Sequence, residues 1–161
     1  MLTAAALVAV VLSVTTPALA KTRNEVVGKV VGVADGDTLT ILDAANKQHK
    51  IRLAYIDGPE KAQAFGNRAK QKLSDVCYAK MAVATVIDTD RYGRQVAELT
   101  CAGVAANKMM VESGMAWVYV KYAKGQSALI TAESTAKAAK LGLWSTQAQT
   151  RPWEFRREKR K

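Results

Sequence analysis

The sequence has little histidine and cysteine, and its beginning carries no charge. His49 is the only histidine, so chemistry built on a histidine base or on several histidine ligands is nearly excluded. Cys77 and Cys101 are the only cysteines, and no CxxC motif or Cys/His cluster accompanies them, which argues against a cysteine metal site. Any catalytic chemistry must therefore come from carboxylates, arginines and other polar side chains.

The uncharged first twenty residues predict a secretory signal peptide at 1–20. The apolar run at 4–12 is followed by Ala18-Leu19-Ala20, which places small residues where a signal peptidase cuts. The alternative is an uncleaved membrane anchor. An anchor needs roughly 18 apolar residues, and Thr15, Thr16 and Pro17 interrupt this run. We therefore expect a secreted or periplasmic protein with no stable membrane association after cleavage.

The residues after this segment carry the whole net charge of +10. Such a charge attracts nucleic acid, anionic lipid or acidic polymers, although it also serves solubility. In an oxidising compartment, Cys77 and Cys101 would form one disulfide, and two buried free thiols are the alternative. The length predicts one globular domain at 21–150, a monomer by default, followed by a basic tail at 151–161 with a docked Trp153 and a frayed end.

Alternating apolar residues predict five strands, at 26–33, 38–43, 48–56, 81–89 and 95–101. Apolar residues at helical spacing predict three helices, at 60–78, 103–113 and 126–141, and Pro59 suits the first turn of the first helix. The aromatic segment 116–122 is either extended or irregular. The fold class expected from this order is α+β, mainly a five-stranded OB-fold Greek-key barrel, with one helix after strand three and two C-terminal helices outside.

Three polar clusters lie between or at the ends of these strands. They are Asp35-Gly36-Asp37-Thr38, the stretch Arg52–Glu60 and the segment Asp90-Arg91-Tyr92-Gly93-Arg94. Each has a structural explanation when taken alone: a tight hairpin turn, a strand ending in a Gly-Pro turn, and a polar hairpin tip. Their combination is more specific than any one of them.

Together the clusters contain what phosphodiester hydrolysis needs without histidine. Asp37 and Asp57 could hold one divalent cation through hard oxygens, with a backbone carbonyl and waters completing the shell. Glu60 would orient or deprotonate a water. Arg52 and Arg94 would grip the phosphate and neutralise the charge that develops during an in-line displacement.

The stretch Arg52–Glu60 poses a geometric difficulty. In a straight strand Arg52 and Asp57, five positions apart, would point to opposite faces. We therefore expect the chain to leave the third strand near Ile56 and to turn through Gly58-Pro59. That turn would bring Asp57 toward Asp37 and Glu60 back toward Arg52.

The segments ADGDTL, RLAYIDGPE and DRYGR, in this order and at these separations, resemble the characteristic segments of the staphylococcal nuclease family, also called thermonucleases. The resemblance runs from about Val26 to Trp144 and includes GMAWVYVKY and LGLWS. It implies a calcium-dependent, exported nuclease on an OB-fold barrel. Such an enzyme cuts DNA and RNA on the 5′ side of phosphorus and leaves 3′-phosphates.

The same resemblance implies roles for individual residues. It makes Asp37 and Asp57 calcium ligands, with Gly58 lending a backbone carbonyl where a threonine is often found. The implied catalytic residues are Arg52, Glu60 and Arg94. The implied nucleotide contacts are Arg91 and Tyr92, at the terminal phosphate, and Tyr122, in the nucleotide pocket.

A binding protein is the main alternative to an enzyme. The same basic, aromatic barrel could hold single-stranded nucleic acid without cutting it. Trp117 and Tyr119 fit packing at the barrel edge better than base stacking, and Tyr122 is the best candidate for an exception. The presence of Arg52, Glu60, Arg94 and both acids favours the enzyme, because a binding protein has no need of carboxylates facing phosphate.

Overall fold

The computed structural model describes residues 24–147 and 149–160, so the predicted signal peptide at 1–20 lies outside the described residues. Within this part of the chain, no helix is both long and apolar enough to span a membrane. The strands are β1 (Glu25–Val33), β2 (Thr38–Asp43), β3 (Gln48–Leu53), β4 (Ile56–Asp57), β5 (Met81–Thr89), β6 (Gln95–Cys101), β7 (Val104–Ala105) and β8 (Trp117–Val118). The helices are α1 (Gly66–Cys77), α2 (Ala106–Glu112), α3 (Ser127–Ala138) and α4 (Pro152–Glu158), with a 3-10 turn at Gly142–Ser145.

Five strands close into a barrel. β1, β2 and β3 form an antiparallel meander, and β5 and β6 continue the sheet from the other edge of β1. The barrel closes because β3 also pairs in parallel with β6, where Arg52 lies opposite Val96. A bulge in β1 between Val30 and Gly32 shifts its register with β2, and such bulges increase strand bending. The α+β OB-fold barrel predicted from the sequence is confirmed.

The core lies inside the barrel and beneath α1. Leu39, Ile41 and Ile51 point inward from the meander, and Leu73 of α1 covers them; all four are 1% exposed or less. The last residue of α1, Cys77, forms a disulfide with Cys101 at the end of β6. The predicted disulfide is therefore present, and it ties the helix to the barrel wall.

Two predicted helices begin later than the sequence suggested. α1 starts at Gly66 rather than near Glu60, because separate turns come first: Gln63 N–H donates to the Glu60 carbonyl at 2.8 Å, and Phe65 has a left-handed φ of 66°. α2 starts at Ala106 rather than 103, because Val104–Ala105 pairs with β6 as β7. Pro59 and Glu60 thus lie in a loop before α1.

The C-terminal tail is not frayed over its described length but forms α4. Pro152 occupies the first helical position, where its missing N–H is not needed. Glu154 accepts a hydrogen bond from the Arg151 N–H at 3.4 Å, which closes the first turn. Trp153 is docked as expected, with its ring stacked on Tyr119 at a centroid distance of 4.7 Å.

Candidate active site

The end of β3 explains how Arg52 and Asp57, which would point to opposite faces of a straight strand, come into contact. β3 stops at Leu53, and Tyr55 adopts a left-handed φ of 66° before the short strand β4. The bend therefore lies at Ala54-Tyr55, and the expected exit near Ile56 with a redirecting turn at Gly58-Pro59 is wrong. Because the chain changes direction before Asp57, Arg52 Nη2 reaches Asp57 Oδ1 at 2.9 Å.

The β1–β2 loop brings Asp37 to the same place. Its Gly36 packs against α1 so closely that a Cβ there would lie 2.7 Å from the Ala69 Cβ, which explains glycine at this position. Asp37 N–H donates to the Asp35 carboxylate at 3.1 Å, and the Asp37 carbonyl accepts from Leu53 N–H at 2.8 Å. The loop is thus fixed to both α1 and the end of β3, which a simple hairpin turn would not require.

Arg52 joins the two carboxylates. Its Nη1 donates to Asp37 Oδ2 at 2.8 Å while its Nη2 donates to Asp57 Oδ1. The Gly58 N–H adds a hydrogen bond to Asp37 Oδ2 at 3.0 Å. Asp37 is 6% exposed and Asp57 only 1%, so both depend on these donors to offset desolvation.

The electrostatic environment shifts the pKa values of Asp35 and Asp37, two acids of the same loop, in opposite directions. Burial opposes ionisation of Asp37, but Arg52 and the Gly58 N–H outweigh it and hold the pKa of Asp37 below its ordinary value. For Asp35, burial and the nearby charge of Asp37 raise the pKa to about 6. Asp37 therefore stays ionised to lower pH than Asp35, whereas burial raises the pKa of Asp57 above its ordinary value.

Glu60 lies at the rim of this cluster. Its side chain is 37% exposed, and Glu60 Oε1 accepts a hydrogen bond from Arg156 Nη1 at 2.6 Å. The same guanidinium contacts Asp57, so Glu60 is joined to the cluster through Arg156. An exposed carboxylate beside buried ones has access to solvent, which a group that deprotonates water needs.

Arg94 arrives from the β5–β6 hairpin, as the sequence predicted. Its Nε donates to Asp90 Oδ2 at 2.7 Å, and its Nη1 lies 3.5 Å from Thr38 Oγ1. Thr38 Oγ1 in turn donates to Asp37 Oδ1 at 2.8 Å. Arg94 thus reaches the carboxylate cluster through one hydroxyl, and the structure brings all five predicted metal and catalytic side chains together.

The three predicted nucleotide contacts lie at two places. Arg91 and Tyr92 are at the exposed tip of the hairpin, where Arg91 Nη2 donates to the Tyr92 hydroxyl at 2.8 Å. The Tyr92 ring also lies 5.6 Å from the Arg94 guanidinium, so it borders that arginine. Tyr122 is exposed and packs edge-on against Tyr119 at 4.9 Å.

Sequence reasoning missed Arg156. It treated 151–161 as a charged tail, yet Arg156 of α4 forms ion pairs with Asp57 and Glu60, each at 2.6 Å. The available signal was the start of a helix, since Pro152 and Glu154 are residues typical of a first turn. No pattern in the sequence indicates which side chain such a short helix presents to the barrel.

The residues present fit a hard divalent cation, although their side chains alone do not complete its coordination shell. Among residues 24–147 and 149–160, no three His, Cys, Asp or Glu side chains are grouped as metal ligands. Two buried carboxylates, Asp37 and Asp57, do converge, and both form ion pairs with arginines. Hard divalent cations accept carboxylate and carbonyl oxygens together with several waters, so Asp37 and Asp57 are the side chains that could hold such an ion.

Comparisons with known proteins point to one family. The model of the family described as staphylococcal nuclease homologue matches residues 50–146. The chain is 41% identical over 160 residues to a micrococcal nuclease from Shigella flexneri, and the match covers 92% of this chain and 88% of that relative. It is 40% identical over 132 residues to an uncharacterized endonuclease from Haemophilus influenzae, covering 82% and 74% of the two chains.

Proposed function

The chain belongs to the staphylococcal nuclease family, and from this membership we propose that it is an exported, calcium-dependent nuclease that hydrolyses DNA and RNA and leaves 3′-phosphates. The relatives named as nuclease and endonuclease support a nuclease in general terms. The finer proposal rests on one observation, the contact of Asp37 and Asp57 with the same guanidinium of Arg52. The site thus brings together carboxylates, which can bind a cation, and an arginine, which can bind phosphate, and phosphoryl chemistry requires both.

The metal would be held by Asp37, Asp57 and the Gly58 carbonyl. When bound, a divalent ion supplies positive charge that offsets the charge of the phosphate under attack. Glycine at position 58 avoids a close packing contact, because a Cβ there would lie only 3.1 Å from the Gly36 backbone carbon. A threonine at this position would require the β1–β2 loop to move by a few tenths of an ångström.

The protein side chains carry the remaining steps. Glu60 accepts a proton from the attacking water, because its carboxylate is exposed at the rim of the cluster. Arg52 and Arg94 hold the phosphate oxygens from the barrel side and from the hairpin side. Arg91, Tyr92 and Tyr122 would add contacts to the ends of a bound nucleotide. Since the site contacts phosphate and charge, little sequence preference is expected.

The proposal is tested on the mature protein with plasmid and denatured DNA, in calcium and in chelator. We expect degradation in calcium, with the unpaired strand cut faster, and no degradation in chelator. The product ends are identified by polymerase extension. Fragments that carry a 3′-phosphate are extended only after treatment with phosphatase. Degradation that continues equally in chelator would exclude a calcium-dependent enzyme, and binding without cleavage would favour a single-strand-binding protein.

A matched variant tests the role of Glu60. Glu60→Gln keeps size and hydrogen-bonding capacity but removes the base, and a general base contributes roughly 10²–10⁴-fold to rate. We expect a loss of that order with an unchanged circular dichroism spectrum. Near-normal activity of Glu60→Gln would show that another group activates the water.

A further inference from the structure

α4 places a cation on the two carboxylates that border the proposed metal position. Arg156 Nη2 donates to Asp57 Oδ2 at 2.6 Å, and Arg156 Nη1 donates to Glu60 Oε1 at 2.6 Å and to Asp57 Oδ1 at 3.2 Å. With Arg52 also on Asp57 Oδ1, both oxygens of this carboxylate are engaged. Of the two arginines, only Arg156 binds Asp57 Oδ2, and the two share Oδ1.

The position of α4 does not depend on this ion pair alone. Pro152 is buried, and the Trp153 ring lies parallel to the Tyr119 ring, with an interplanar angle of 3°. Just before the helix, the Thr150 carbonyl accepts a hydrogen bond from Gln63 Nε2 at 2.9 Å. These contacts fix α4 against the loop that carries Glu60 and beside the tyrosines at 119 and 122.

A divalent ion and Arg156 cannot hold Asp57 in the same way. Both would bind the carboxylate of Asp57, which is 1% exposed, and positive charges held close together repel strongly where water is scarce. Resting on the proposed function, we propose that α4 is an internal cap: Arg156 competes with the divalent cation for Asp57 and Glu60, and cation binding releases the helix.

This cap has a quantitative consequence for metal affinity. When only a fraction of the protein is in the binding-competent state, the apparent affinity falls by that fraction. If α4 is docked in about nine molecules of ten, loosening it should tighten calcium binding roughly tenfold. The same release would uncover the Tyr119 ring, on which Trp153 stacks, so the metal and the nucleic acid would favour the same open state.

The first test measures calcium affinity by titration calorimetry on the full mature chain. Arg156→Gln removes the competing charge, and Trp153→Ala loosens the helix without changing any charge. Both should bind calcium roughly tenfold more tightly than the wild type. Arg157→Gln is the matched control, because Arg157 is the next residue of the same helix, carries the same charge and is exposed; its affinity should stay at the wild-type value.

Two outcomes of the calorimetry would overturn the proposal. Equal or weaker calcium binding by Arg156→Gln would show that Arg156 does not compete with the ion. An equal gain in Arg156→Gln and Arg157→Gln, with none in Trp153→Ala, would reduce the effect to general charge. In either case α4 would be a fixed part of the site rather than a cap.

The second test follows the helix itself by NMR. In ¹⁵N-labelled protein, the indole N–H signal of Trp153 reports its stacking on Tyr119. Adding calcium to the wild type should move this signal to the position it has in calcium-loaded Arg156→Gln. A Trp153 signal that stays at its metal-free position in saturating calcium would contradict release of α4.

Hydrolysis of DNA by the same samples separates this proposal from the proposed function. If Arg156→Gln cleaves DNA in calcium but binds the ion no more tightly than the wild type, only the cap is wrong. If neither protein binds calcium or cleaves DNA, the calcium-dependent nuclease is wrong, and the cap with it.

Discussion

Arg52 and Arg94 are proposed to hold the same phosphate, but the protein positions them by different means. Arg52 extends from a barrel strand, is 14% exposed and pairs with carboxylates of two other segments, Asp37 and Asp57. Arg94 sits in a hairpin, is 24% exposed and pairs with Asp90 of its own turn, four residues earlier. The first arginine is held by tertiary structure and the second by local structure.

The difference separates two kinds of proposed catalytic residue. Arg52 is the only ion-pair partner of the buried Asp37 carboxylate among the described residues, whereas Asp57 also pairs with Arg156. Removal of Arg52 leaves the charge of Asp37 without a cation in the interior, which costs more than the pair itself contributes. Replacing Arg94 breaks only one ion pair, with a partner that is 20% exposed and belongs to the same turn, and pairs near the surface contribute about 0–1 kcal/mol. Folding and catalysis should therefore be inseparable at Arg52 and separable at Arg94.

The largest effect is expected for Arg52→Ala. Removing one partner of a buried ion pair costs about 3–5 kcal/mol, and activity should fall below detection. Urea unfolding in chelator, followed by circular dichroism, measures the free energy of unfolding. Lys50→Ala is the control, since Lys50 is an exposed basic residue two positions earlier on the same strand. An Arg52→Ala protein within about 1 kcal/mol of the wild type would remove the distinction between the arginines.

Arg94→Ala should affect catalysis alone. Loss of one preorganised donor to a developing charge costs about 10²–10³-fold in rate, whereas the free energy of unfolding should change by about 1 kcal/mol or less. The rate of cleavage of denatured DNA and the urea midpoint are measured on the same preparation. A large loss of stability here would mean that the hairpin, too, is held by its contact with the barrel through Thr38.

The sequence predicted the barrel and the convergence of the site residues more accurately than the course of the chain that connects them. Strand alternation was sufficient for the barrel because it is a local pattern, whereas the meeting of Asp37 with Asp57 was expected from the combination of the three motifs and from the resemblance that they carry. The bend at Tyr55 was missed, since a tyrosine with φ of 66° is rare and tertiary contacts impose it. Its carbonyl accepts from Tyr119 N–H at 2.8 Å, a contact 64 positions away that no local pattern encodes.

The helix α4 was missed for a related reason. Its seven residues are too few for an isolated helix to be stable in water, so docking must stabilise it. Basic composition alone indicates a solvated tail. The partners of Arg156, at Asp57 and Glu60, lie 99 and 96 positions away in the sequence. Such a contact is visible only after the fold is known.

The smallest effect is expected for Asp90→Asn, which tests how local structure positions Arg94. The amide oxygen can still accept from the Tyr92 and Arg94 N–H groups, which Asp90 Oδ1 binds at 2.9 and 3.0 Å, so the turn should persist. The ion pair from Asp90 Oδ2 to Arg94 Nε is lost, and the guanidinium becomes more mobile. We expect kcat to fall about tenfold, since small misplacements of a catalytic group are costly, with an unchanged urea midpoint. If kcat stayed at the wild-type value, Arg94 would be positioned by substrate or by Thr38 rather than by its own turn, and the contrast with Arg52 would rest on burial alone.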